Sequence, residues 1–140
     1  MRQQKSAGGL RFAGYASVFD QIDRGGDIVR PGAFKRTLGE GRSVPLLWQH
    51  QPGKCIGVIE HIAEDTRGLQ VIGRLNDDAL AAMLGRELQR GSLTGLSFGY
   101  RVQAAAKGRT ARELNDVDLL EVSLVRRPMQ PLARIHKIAA

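Results

Sequence analysis

The chain has 140 residues, enough for one domain with a hydrophobic core and too few for the long parallel sheet of an α/β-hydrolase. Its 21 basic and 14 acidic residues leave a net charge of +7, but the basic residues are scattered, aromatics are few and no nucleic-acid-binding motif is present. This argues against nucleic acid as the primary ligand. A single cysteine excludes an internal disulfide and fits a reducing compartment, and no apolar run approaches the ~18 residues of a membrane span.

Residues 1–9, polar and glycine-bearing, read as a flexible lead-in, and residues 10–138 as one domain. "LRFAGYASVF" (10–19) alternates apolar and small residues and predicts a strand with a bulge near Gly14. "DQIDRGGD" (20–27) is a polar turn whose acidic spacing departs from a calcium loop. Pro31 opens one or two turns of helix, with Phe34 and Leu38 on one face. Residues 44–48 are apolar and lead to His50, and residues 55–62 and 69–75 predict two more strands. Asp77 or Asp78 caps a helix that Gly91 ends, with Leu80, Met83, Leu84 and Leu88 as its stripe. After residues 94–102 comes a polar gap, "QAAAKGRTA", and then a strong β segment over 117–125. The result is a mainly β (α+β) chain of about six or seven mostly antiparallel strands and two helices, in a barrel-like sheet.

Gly95-Leu96-Ser97-Phe98-Gly99 matches G-x-S-x-G, the nucleophile elbow of α/β-hydrolases. The chain order of that fold can be met by Ser97, Asp116 or Asp118, and His136. An elbow leads into a helix, however, and "FGYRVQ" after Ser97 is rich in β-formers. A serine needs a base and the base needs an orienting group. His50, at a strand end before the turn "QPGK", offers a base, although its position also fits a loop histidine at the surface. His50, Cys55 and His61 suggest a metal site. An extended strand nevertheless separates Cys55 from His61 by about 20 Å, so Cys55 reads as a small buried hydrophobe. Glu121 interrupts an apolar strand. Alternation puts Leu119, Glu121 and Ser123 on one face, which can equally face solvent, and does not decide the acid among Glu121, Asp116 and Asp118.

Taken together, five blocks resemble the prohead (capsid maturation) protease family of tailed double-stranded-DNA bacteriophages. They are "GYASVFDQIDRGGDIVRPGAF", "PLLWQH", "IGVIEHIAEDTRGLQVIGRL", "GLSFGY" and "LLEVSLVRRPMQPLARI", and they cover roughly residues 12–135. The resemblance implies a fold like the herpesvirus capsid proteases, a mainly antiparallel β-barrel with surrounding helices. It implies a serine endopeptidase with Ser97 as nucleophile, His50 as base and Glu121 as acid, Asp118 being the fallback. Arg126 and Arg127 become the oxyanion-hole candidates. Neither cofactor nor metal is called for. The implied substrates are the major capsid protein and its scaffolding segment inside the immature capsid in the host cytoplasm, with self-cleavage and homodimerisation also expected by analogy. A non-catalytic assembly factor with the same fold is the alternative.

Overall fold

Period-2 apolar patterning builds most of this chain, and the computed structural model describes residues 9–139. All but Gly9 of the expected lead-in therefore lies outside the described residues. The strands are β1 (Arg11–Val18), β2 (Asp27–Val29), β3 (Leu46–Trp48), β4 (Gln51–Glu64), β5 (Gly68–Leu75), β6 (Gly95–Lys107), β7 (Arg112–Val125) and β8 (Ile135–Ala139), with helices α1 (Lys35–Gly39) and α2 (Ala79–Arg90). Their order is β2-β7-β3-β4-β5-β1-β8, with β6 paired to β7 beside this path. The architecture is mixed α/β and mostly sheet. Most ladders are antiparallel, but β2 and β3 run parallel to β7.

The ladders do not close into the expected barrel. Between β1 and β6 the chain runs through residues 133–135, where Gly95 forms an isolated bridge with Arg134 and Tyr15 N–H donates to the Arg134 carbonyl. Pro128 and Pro131 precede this segment, and a residue without N–H cannot supply a continuous ladder. The bulge expected near Gly14 is present as a register shift of β1 against β8 between Ala13 and Gly14. A Cβ on Gly14 would stand 2.3 Å from the Arg134 carbonyl oxygen, so the chain crosses there only over a glycine.

The helices are set by their ends. Asp78 accepts a hydrogen bond from Ala81 N–H at 2.9 Å, and Gly91 leaves α2 with φ 77°, devices worth about 1 kcal/mol for the cap alone. The buried stripe of α2 is Ala81, Leu84, Gly85 and Leu88. Met83, expected on that stripe, is exposed, because the i, i+3, i+4, i+7 face starts at Ala81. α1 begins four residues after Pro31, since Glu64 accepts from the main-chain N–H groups of Gly32 and Phe34 and holds them in a turn. Phe34 is fully buried from that turn, a burial worth roughly 1.5–3 kcal/mol.

Two further expectations are corrected. The polar gap over 103–111 is strand on both sides, closed by a hairpin in which Gly108 N–H donates to the Ala111 carbonyl. Its β6 arm is largely exposed, so no period-2 signal marks it. Cys55 is exposed, because the first five residues of β4 run beyond the core that Ile56 enters.

Candidate active site

Strand pairing brings the candidate residues together. β3 lies parallel to β7 with Leu47 opposite Ser123, and β6 lies antiparallel to it with Ser97 opposite Ser123 and Gly99 opposite Glu121. Directly opposite residues on one face hold their Cβ atoms about 4.5–5.5 Å apart. β7 is thus the common neighbour of the serine strand and the strand that leads to His50.

After Trp48 the chain turns sharply into β4, with Gln49 and His50 both in the left-handed region at φ 52° and 60°. Non-glycine residues there cost of order 1–3 kcal/mol each and persist only when surrounding bonds hold them. Three bonds do so here. Gln49 N–H donates to the Leu124 carbonyl at 3.0 Å, His50 N–H to Ser123 Oγ at 3.0 Å, and Arg126 N–H to Gln49 Oε1 at 2.7 Å.

His50 Nδ1 meets Glu121 Oε2 at 2.5 Å, and Ser123 Oγ–H donates to Glu121 Oε1 at 2.7 Å. The Glu121 bond raises the His50 pKa above its ordinary 6.5, against the opposing effect of burial. A carboxylate on Nδ1 keeps the proton there and leaves the lone pair on Nε2. Beneath the carboxylate lies Gly99, where an added Cβ would stand 2.3 Å from Glu121 Oε2. The second glycine of G-x-S-x-G therefore makes room for the acid.

Alternation along β7 is broken at Asn115, toward the hairpin, and again at Leu120, beside the site. Gly99 pairs with Glu121 and Tyr100 with Leu119, so Leu120 is an extra residue and bulges outward, 39% exposed. Leu119 and Val122 both reach the core, whereas the simple pattern placed them on opposite faces. The bulge also separates the carboxylates. Asp118 is bonded to Arg36 and Gln103, each at 2.6 Å, and Asp116 to Arg36, while Glu121 faces the imidazole.

Ser97, His50, Gln49, Phe98, Tyr100, Val125, Arg126, Arg127 and Met129 line one groove of about 350 Å³. No hydrogen bond joins Ser97 to His50 among the described residues, as is common before a substrate tightens such a pair. Arg126 grips Glu87 of α2 with two bonds of 2.8 and 2.9 Å and lies 5.2 Å over the Trp48 ring. Arg127 has no salt bridge among the described residues. At the far end, burial pushes the Tyr100 phenol up, and its hydroxyl meets Asp27, which Arg112 clamps and holds below the usual carboxylate range.

The other candidates lie elsewhere. His136 stands edge-on to Tyr15, and His61 sits mid-strand in β4, opposite Ile72. No cluster of three metal-ligating side chains occurs among the described residues. The site also contains residues that sequence reasoning missed: Ser123, Glu87 and the space over Gly99. The spacing of Glu121 and Ser123 at i, i+2 on one strand was the available signal for the first.

Three comparisons bear on this geometry. The family model described as caudovirus prohead serine protease matches residues 1–140. The prohead protease of Enterobacteria phage HK97 is 40% identical over 94 residues, which cover 65% of this chain and 42% of that protein's length. Among solved structures, the bacteriophage T4 capsid assembly protease superposes with TM-score 0.71 at 13% identity, covering 86% of this chain and 84% of that one. The KSHV protease, solved with a hexapeptide phosphonate inhibitor, gives TM-score 0.65 at 13% identity over 94% of this chain and 65% of that one. These two likenesses show a shared fold.

Proposed function

We propose, for a chain that belongs to the caudovirus prohead serine protease family, a serine endopeptidase that processes capsid proteins during prohead maturation. The observation that carries this reading is the His50 Nδ1 bond to Glu121 at the rim of the groove that Ser97 lines. His50 Nε2 takes the Ser97 hydroxyl proton as Oγ attacks the peptide carbonyl carbon. The tetrahedral intermediate collapses, the C–N bond breaks, and His50 gives the proton to the leaving amine. Water then repeats the sequence on the acyl-enzyme and restores Ser97. Glu121 holds His50 in the working tautomer and stabilises the imidazolium.

General base catalysis contributes typically about 10²–10⁴-fold, and each oxyanion donor about 10²–10³-fold. Of the two oxyanion candidates, Arg127 is the better placed to donate from its side chain, because the Arg126 guanidinium is committed to Glu87. Asp118, committed to Arg36, takes no part.

The domain responsible is the single unit over 10–138. Its substrates are the major capsid protein and the scaffolding segment attached to it, met inside the immature capsid in the host cell. Self-cleavage and a homodimer belong to the same reading. Co-expression with the neighbouring capsid protein tests it: wild type shortens the capsid protein and Ser97→Ala leaves it at full length. Full-length capsid protein in both arms would overturn the reading in favour of an assembly factor without catalysis.

A further inference from the structure

We infer that Ser123 is a positioning residue of this reaction, its one hydroxyl fixing the His50 main chain and the Glu121 carboxylate together. The inference rests on the Ser97, His50 and Glu121 reading above and names a fourth residue on which that reading depends.

Ser123 is fully buried in β7 among Val122, Leu124 and Val125, all of them apolar and buried. A hydroxyl in such a place costs free energy unless it is bonded, and an alanine would fill the space without that cost. The Ser123 hydroxyl is bonded twice. It donates its proton to Glu121 Oε1 at 2.7 Å and accepts the His50 N–H at 3.0 Å. One atom therefore touches both members of the pair whose mutual bond is 2.5 Å.

Each bond has a separate consequence. The donated proton takes one carboxylate oxygen, so that Oε2 alone is left for Nδ1. Gly99 lies close against that same oxygen and bounds its position from below. The accepted N–H gives a partner to a residue held at φ 60°, which would otherwise relax toward an ordinary conformation and carry the imidazole away. Strand register supplies the rest. Ser123 is opposite Ser97 on β6 and opposite Leu47 on β3, at the middle of the three β7 positions, Val122 to Leu124, that pair with both strands.

Removing the hydroxyl should loosen the pair without emptying the core, since serine and alanine differ by one atom. In Ser123→Ala, kcat on a capsid-derived peptide falls about 10- to 100-fold while KM stays within about twofold, an orientation loss of the size expected for partners of a catalytic group. The acid limb of the rate profile moves down toward pH 6.5, because the Glu121 bond is what raises His50. The imidazole itself is read by NMR of ¹⁵N-histidine protein. Wild type and Ser97→Ala show a strongly deshielded His50 Nδ1–H, and Ser123→Ala shows it shifted upfield or lost to exchange. Ser123→Cys, close in volume and a weak donor, falls between and carries the same test if the alanine variant does not fold.

An unchanged Nδ1–H signal together with an unchanged acid limb in a folded Ser123 variant would overturn the inference. An inactive wild type that still shows the deshielded proton, lost in Ser123→Ala, would sink the protease reading while leaving the role of Ser123 on the imidazole intact.

Discussion

β6 and β7 stay paired from Gly95 opposite Val125 to Lys107 opposite Arg112, and a parallel strand flanks β7 at each end, β3 at the base and β2 at the tip, yet only the base carries the candidate residues. At the base, Leu96, Val122 and Leu124 face the core, and β3 covers β7 on its far side. At the tip, the β6 arm over 103–107 is exposed and the hairpin turns on Gly108. Antiparallel pairing alone therefore makes no site. What distinguishes the base is what its flanking elements supply. β3 leads to His50 where β2 at the tip carries none of the candidate residues, the bulge at Leu120 turns Glu121 toward the imidazole, and Gly99 lies beneath the acid.

The comparison breaks most severely at Ser97. Ser97→Ala at the base lowers peptidase activity by at least about 10³-fold with the fold intact, checked by cleavage assay and circular dichroism. Gly99→Ala follows. The new methyl displaces the end of a flexible Glu121 side chain rather than main chain, so activity falls about 10²-fold while stability stays within about 1 kcal/mol in urea melts. If Gly99→Ala instead unfolds the protein and spares the specific activity of what remains, the cradle account is wrong.

Protonation sharpens the same contrast. His50 must be neutral at Nε2 to act as base, and its bond to Glu121 raises its pKa above 6.5. Activity therefore rises with pH on the order of tenfold per unit on the acid limb and levels off above pH 6.5. The stability linkage has the opposite sense. A raised histidine contributes stability that is fully present below its unfolded value near 6.5 and is lost as pH rises through the folded value. The melting-temperature advantage of wild type over His50→Ala should accordingly shrink between pH 6 and pH 9.

Smaller effects belong to the rim and the tip. Glu87→Gln releases Arg126, whose N–H also holds Gln49 beside His50, and lowers kcat about threefold to tenfold. Its stability cost is below about 1 kcal/mol, because the Arg126 side chain is half exposed. Arg109→Ala at the hairpin tip changes activity less than about twofold and stability by less than about 0.5 kcal/mol. A large loss at Arg109 would show that the tip serves catalysis and would remove the contrast between the two ends.

The same contrast explains what could be read from the residues alone. α2 was legible because Asp78, Gly91 and a buried stripe each act locally. β1, β4 and β5 were legible by alternation, β3 as an apolar run and Ser97 by its motif. The short β2 and β8 were not read as strands, so eight strands stand where six or seven were expected. The β6 arm over 103–107 was not, because an exposed ribbon has no buried face to impose a period. Glu121 stayed ambiguous for a different reason. One extra residue at Leu120 flips every later side chain of β7, and no residue type announces a bulge there. Cys55 was misplaced because a short residue on a strand gives no sign that the strand has run past the core. Ser123 was overlooked because its two partners come from different strands, and only pairing brings them together.

The central claim is that Ser97 is a hydroxyl activated by His50. A fluorophosphonate reacts with such a serine irrespective of cleavage specificity, and peptide mass mapping reports where the adduct forms. The account predicts one adduct, on the peptide containing Ser97, absent from Ser97→Ala, formed at a rate that rises through a pKa above 6.5 and falls at least about 10²-fold in His50→Ala. An adduct on another residue, or a labelling rate at Ser97 that ignores both pH and His50, would contradict it.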